Sequence, residues 1–362
     1  MDFIDMLLGR RRYNVPLDTS DFPKKGERSI YLGKVAESSE RVYYDIDNLT
    51  RHMIIAGITG GGKTVAGNII IEEAVKAGTS VVIIDPTVQW SGILLANKDE
   101  AQRNRYGQFK MPSDESRGIP THIIALANNS DFSRGTDLVC LMRPGIATVV
   151  LVNELVPAEI DRYIGELIKA VRSARLPQSK QLKLLIVFDE IHTILPKFGG
   201  NGKGFVELDR AVREFRELGV GMLLLSQVLE DFLGAIRGNI NTEVQMRTTF
   251  DDDLAKAKLK YGEKVADSIM RCETGTGLFH NADYNIGRPF FLSFRPPYHN
   301  TDRLPDKDLN AYLALAHRID DLRGKTRKDD EILARAEQEL YHGNLNACNA
   351  LLEDAINNKR RE

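Results

Sequence analysis

Short apolar runs that end on polar or acidic residues alternate along this chain with stretches whose apolar positions repeat at helical spacing. His52-Met53-Ile54-Ile55-Ala56 and Ser80-Val81-Val82-Ile83-Ile84-Asp85 are unbroken, the pattern of central parallel strands buried on both faces. Strand-like runs recur at His122 to Leu126, Leu138 to Met142, Ala147 to Val152, Leu182 to Phe188, Val220 to Leu225, Glu243 to Phe250, Gly277 to His280 and Pro289 to Phe294. Between them Val65, Ile69, Ile70, Ala74 and Val75 predict a helix that stops at Gly78. Pro157 opens another, with Ile160, Ile164, Leu167, Ile168 and Val171 on one face. Phe205 to Leu218 reads as an amphipathic helix that stops at Gly219. Strands alternating with helices predict an α/β fold whose mostly parallel central sheet is flanked by helices.

The ends of the chain carry different patterns. Ile30 to Lys34 and Arg41 to Asp45 read as a small β element ahead of the main sheet, and residues 97–118 as a polar, unperiodic inserted loop. Beyond Pro305 the pattern is helical, with Leu309, Tyr312, Leu313, Ala316 and Ile319 first, then two helices separated by His342-Gly343-Asn344. The expected division is an N-terminal extension over 1–50, a core over 51–300 and a C-terminal helical segment over 301–362.

Composition narrows the function classes. The 362 residues are 42% hydrophobic, enough for a sizeable core, and 49 Lys and Arg against 51 Asp and Glu leave a net charge of −2. Nucleic-acid contact must therefore be local, at a site such as Arg10-Arg11-Arg12 or the Gly-rich loop Pro196 to Gly204 with its two lysines. Cys140, Cys272 and Cys348 are far apart and lack metal-ligand spacing, which argues for a reducing compartment. No run is long enough to span a bilayer, and the acidic N-terminus does not resemble a signal peptide, so a cytoplasmic protein is expected.

The strongest motif is Gly57-Ile58-Thr59-Gly60-Gly61-Gly62-Lys63-Thr64, which fits GxxxxGK[ST] between a predicted strand and a predicted helix. Backbone N–H groups of such a turn cradle a polyphosphate, so Gly57, Thr59, Gly60, Gly61 and Gly62 are candidate ATP contacts. Lys63 would reach the β- and γ-phosphates, and the Thr64 hydroxyl would ligate Mg²⁺. Asp189 and Glu190 end the run Leu184 to Phe188. Asp189 is expected to hold the metal through water and Glu190 to deprotonate the attacking water; the alternative is that both merely cap the next helix. Ser226-Gln227 close another run, placing Gln227 as a γ-phosphate sensor or as a plain loop residue. Arg213 and Arg216, with Arg247 as a rival, are candidates to reach a neighbouring subunit's phosphate, or are ordinary solvated arginines.

In that order, Arg51-His52, the phosphate loop, Asp85-Pro86, Asp189-Glu190-Ile191-His192, Arg213-Glu214-Phe215-Arg216 with Gly219-Val220-Gly221, and Ser226-Gln227 resemble the HerA/FtsK superfamily from about Tyr31 to Phe294. The resemblance implies a RecA-like ATPase core, a homo-hexamer and duplex DNA in its channel. It also aligns Asp85 with the acid of the family's Asp-Pro-His-Gly-Glu motif and so with the nucleotide site. Here that motif continues Thr87-Val88-Gln89-Trp90, so the family's glutamate is Gln89. About fifty residues precede the core, so the family's N-terminal barrel, which docks a nuclease, is not expected in full. Three functions follow: a DNA translocase or helicase, a motor for conjugation, secretion or virus packaging with a corresponding partner, or a nucleotide-dependent switch without motor action.

Overall fold

The two fully apolar runs become central strands because helices cover both of their faces. The computed structural model describes residues 13, 15–112, 114–128, 131–194, 203–229, 234–323 and 330–359. Eleven strands form one sheet: β1 (Ser29–Val35), β2 (Arg41–Asp45), β3 (Met53–Ala56), β4 (Ser80–Asp85), β5 (Thr121–Ala125), β6 (Ala147–Leu151), β7 (Ser179–Phe188), β8 (Leu218–Ser226), β9 (Thr242–Met246), β10 (Thr276–Asn281) and β11 (Phe290–Phe294). Their spatial order is β2-β1-β11-β10-β9-β3-β8-β7-β4-β6-β5. From β9 to β5 every neighbouring pair is parallel, and from β9 to β2 every pair is antiparallel. The architecture is a RecA-like α/β fold.

Strand alternation divides the core between two faces. Ile55, Ile83 and Leu225 face α1 (Lys63–Lys76) and the C-terminal helices, in a layer that holds Ile69, Ile70, Ala74, Tyr312, Ile319, Leu340 and Leu352. Ile54, Val82, Ile84 and Leu224 face α2 (Pro157–Ser173) and α3 (Lys203–Glu214), with Ile164, Leu167, Leu208 and Val212. Two further helices, α4 (Asp251–Tyr261) and α5 (Glu263–Met270), cover the antiparallel half. The last three are α6 (Asp306–Leu322), α7 (Asp330–Tyr341) and α8 (Leu345–Lys359); buried Tyr312 donates its hydroxyl to the Thr121 carbonyl at 2.8 Å and so ties α6 to β5. No described helix is long and apolar enough to cross a membrane.

Several expected elements differ. The run Leu138 to Met142 is a helical turn, Leu138–Leu141, because the Asp137 carboxylate accepts the Val139 N–H as an N-cap and Val139 points to solvent at 83% exposure. Residues 97–118 are a packed insertion with helical turns Glu100–Arg103 and Tyr106–Phe109; Tyr106, Phe109 and Met111 pack on Tyr298, an apolar set masked by the surrounding charges. The β element of the N-terminal extension joins the main sheet, with Gly33 opposite Phe294. Helix α3 ends at Glu214 and a 3₁₀ turn, Phe215–Glu217, leads into β8; Gly219 lies inside that strand, where a Cβ would stand 2.4 Å from the Gln181 carbonyl. Strand β9 ends at Met246, short of Phe250. Arg10-Arg11-Arg12 and residues 196–202 of the expected DNA-facing loop lie outside the described residues.

His52, fully buried at the entry to β3, ties that strand to its neighbours. Its Nδ1 accepts the Met222 N–H at 3.1 Å, so Nε2 carries the proton and donates to the Val212 carbonyl at 2.8 Å. The Met222 bond needs the neutral ring, and burial, against the opposing pull of the Val212 bond, pushes its pKa down to about 4. The folded value lies below the unfolded one, so the stability is fully present above pH 6.5 and falls as pH drops toward 4, by on the order of 3 kcal/mol. Urea unfolding of wild type should therefore lose stability between pH 6.5 and 4.5, and His52→Asn should flatten that slope; equal slopes would show that His52 does not carry it.

Candidate functional site

The parallel register brings four strand ends to one edge. Ala56 pairs with Ser226 on one side and Gln245 on the other, and Phe188 pairs with Leu224, so the chain leaves β3, β8, β9 and β7 side by side. The carboxyl edge of parallel strands is where α/β folds bind ligands. The segment Gly57 to Thr64 leaves β3 there and enters α1 at Lys63.

That turn is braced by its neighbours. The Gly57 N–H donates to the Ser226 carbonyl at 3.2 Å and the Ile58 N–H to the Arg247 carbonyl at 2.9 Å. From the other side, Gly275 N–H donates to the Gly61 carbonyl at 3.3 Å and the Thr274 hydroxyl to the Gly60 carbonyl at 3.2 Å. Gly62 caps α1 in the left-handed region at φ 100°, and a Cβ there would stand 2.5 Å from the Gly275 nitrogen. Thr59 and Gly60 are exposed at the tip, and Thr64 is half-buried in the first turn of α1.

The acids meet this loop from β7. Lys63, 5% exposed, has its Nζ 3.8 Å from Glu190 Oε1, and His192 Nδ1 lies 3.3 Å from Glu190 Oε2. Glu190 sits at φ 45°, a left-handed conformation that a non-glycine residue adopts only where its surroundings hold it. Asp189 is 4% exposed; its Oδ1 accepts the Glu190 N–H at 3.0 Å and its Oδ2 accepts the Trp90 indole N–H at 2.8 Å. Burial, with the Asp85 and Glu190 charges nearby, pushes its pKa up to about 7, and the indole bond works against that rise.

The other expected residues separate into two groups. Asp85 is fully buried, and its oxygens accept Thr87 N–H, Thr87 Oγ1 and Trp90 N–H, so it shapes the turn after β4. Gln227 is half-buried directly after β8, on the edge that carries the loop and the acids. Arg213 and Arg216 are exposed before β8 begins, at the opposite edge, where with Arg51 and Lys180 they line a polar cleft of about 930 Å³; Arg213 pairs with Asp209. Arg247, in contrast, follows β9 and braces the loop of its own chain through its carbonyl.

Sequence reasoning missed Trp90, His192 and the Thr274-Gly275 turn. The position of Trp90 shortly after a strand-ending acid was visible; the Thr274-Gly275 contact joins distant parts of the chain and left no local signal. Among the described residues no group of three His, Cys, Asp or Glu could hold a metal ion. The donor set fits Mg²⁺, which takes one or two protein oxygens and completes its shell with water and phosphate. Thr64, in the first turn of α1, and Asp189, at the end of β7, carry oxygens of that kind, on the edge where a Cβ on Gly62 would meet the backbone of Gly275.

Residues 30–124 match the family described as Helicase HerA, central domain. The chain is similar to that family over this stretch, about a quarter of its length. The chain shares its fold with the bacterial conjugative coupling protein TrwB, at a TM-score of 0.50 and 12% identity over 82% of this chain and 96% of that one. Looser likenesses are VirB4 of Thermoanaerobacter pseudethanolicus, at a TM-score of 0.46 and 14% identity over 75% and 97% of the two chains, and the genome packaging NTPase B204 of Sulfolobus turreted icosahedral virus 2, at 0.43 and 13% over 67% and 96%. No curated protein matches the chain.

The two left-handed glycines separate strain from closeness. Gly60 has nothing within 4 Å of a built Cβ, so Gly60→Ala should cost only about 1 kcal/mol. Gly62→Ala meets backbone as well and should cost about 1–3 kcal/mol and abolish ATP binding. Urea unfolding and calorimetric ATP titration check both; equal effects would contradict the packing at Gly62.

Proposed function

We propose that this HerA-like chain is an Mg²⁺-dependent ATPase that assembles as a hexameric ring in the cytoplasm and couples hydrolysis to translocation of duplex DNA. The observation that carries the reading is the approach of Glu190 to Lys63, 3.8 Å apart, with Asp189 beside them. Without nucleotide these opposite charges satisfy each other. A triphosphate in the loop draws Lys63 to its β- and γ-oxygens, and Glu190 is left as a carboxylate facing the γ-phosphate. Glu190 then takes a proton from water as the water oxygen bonds to the γ-phosphorus and the bond to ADP breaks. Thr64 and, through water, Asp189 would hold Mg²⁺, which would supply charge neutralisation at the phosphates.

His192 keeps Glu190 in place from its other side, and Gln227 reads whether the γ-phosphate is present. Arg213 and Arg216 stand at the far edge of the sheet, away from their own loop, which suits a role in trans. One of them, supplied by the next copy, would complete the site, as arginine fingers do at about 10³- to 10⁵-fold in rate. Arg247 is a cis residue in this reading, because its backbone is already part of the loop's bracing.

Glu190→Gln should bind ATP with near-wild-type affinity and hydrolyse it at least about 100-fold more slowly. Retention of wild-type turnover removes Glu190 from the chemistry. Duplex DNA should stimulate wild-type hydrolysis, with a stimulation that fades as salt rises; DNA-insensitive hydrolysis would favour a switch without motor action.

A further inference from the structure

The turn after β4 departs from its family's pattern in a way that reaches the acids. Val88 takes the left-handed conformation at φ 63°, and the 3₁₀ turn Gln89–Leu94 then carries Trp90, the sole tryptophan of the chain, into the interior at 1% exposure. Its backbone N–H donates to Asp85 Oδ2 at 2.9 Å and its indole N–H to Asp189 Oδ2 at 2.8 Å. Its ring edge packs on α1, where a Cβ on Gly67 would stand 3.2 Å from Cη2. A buried indole N–H always seeks an acceptor, so a bond alone would mean little. Here the acceptor is an almost buried carboxylate whose second oxygen is held by the Glu190 N–H. Two donors from different elements leave the carboxylate no freedom to turn, while each oxygen keeps a lone pair for another ligand. Asp85 in turn anchors the donor.

We propose that Trp90 is a positioning residue for the metal-holding acid: its indole N–H orients Asp189, and its ring sets the spacing between α1 and the end of β7. The inference rests on the reading that Asp189 holds Mg²⁺ beside bound ATP. It also makes Trp90 a built-in reporter of that site. Phenylalanine would fill most of the ring's space and supply no donor, so the loss in Trp90→Phe is that of one hydrogen bond to a charged acceptor, about tenfold in binding.

Two measurements test it on the full chain. In the first, ATP affinity is measured in EDTA by calorimetry, and the Mg²⁺ concentration at half-maximal hydrolysis is then determined. Trp90→Phe should leave metal-free ATP affinity within about twofold and raise the Mg²⁺ midpoint about tenfold. The second needs no substitution at Trp90: the indole ¹⁵N–¹H resonance, unique in this chain, should move in Asp189→Asn and on adding Mg²⁺ to the ATP-bound wild type. An unchanged Mg²⁺ midpoint, or a resonance indifferent to Asp189→Asn, overturns the positioning role. A wild type that binds no ATP, or hydrolyses it without Mg²⁺, overturns the functional reading and this inference with it.

Discussion

Everything at the site depends on the parallel register that seats β3 between β8 and β9. That pairing places the turn after Ala56 against the Ser226 and Arg247 carbonyls, which take the Gly57 and Ile58 N–H groups. The remaining N–H groups of the turn are thereby arranged mainly by backbone contacts, to which the Thr274 hydroxyl adds its bond to the Gly60 carbonyl. Because β7 adjoins β8, the same register delivers Asp189 and Glu190 to Lys63. A slip of one residue in any of these strands would turn its side chains to the opposite face and separate the acids from the lysine.

The loop's helix is anchored from behind by a buried ionic cluster. Arg295, 1% exposed, donates to Glu72 and Glu73 on α1 at 2.6 and 2.8 Å; His299 bridges Glu72 and Asn68, and the Tyr298 N–H adds a further bond to Glu72. Burial alone would raise the Glu72 pKa, but Arg295 and His299 outweigh it and bring it down to about 2. Such a cluster contributes little net stability over an apolar core, yet removal of Arg295 takes from the Glu72 and Glu73 carboxylates the guanidinium they share. It fixes where α1 sits relative to β11 and the residues that follow. Gln89 donates to the Thr301 carbonyl and Leu304 N–H to Ser91 Oγ, so the turn that carries Trp90 is tied to the same segment. Helix α1, the turn that carries Trp90 and the segment leading into α6 are thus linked by one set of buried contacts.

Much of this was legible in the residues. Fully apolar runs such as Met53 to Ala56 and Ser80 to Asp85 read correctly because burial on both faces leaves no polar alternation to confuse them. The phosphate loop and the acid pair were legible for a different reason, since their chemistry confines them to strand ends. Leu138 to Met142 misled because its apolar residues do not all turn inward, and the capping role of Asp137 outweighed them. Tyr106, Phe109 and Met111 were hidden among charges, and their partner Tyr298 is far away in sequence. The family resemblance aligned Asp85 with the nucleotide site, and its oxygens are taken up by the turn that holds Trp90. That division of labour depends on where an indole nitrogen lands across two strands, which no local pattern encodes.

On the proposed reading, each hydrolytic site draws Lys63, Asp189 and Glu190 from one chain and an arginine from the next. Hydrolysis per chain as a function of protein concentration tests it most directly. The account predicts negligible specific activity in dilute monomer and a steep rise through the concentration range in which the ring assembles. Specific activity that stays constant down to a demonstrated monomer would contradict it.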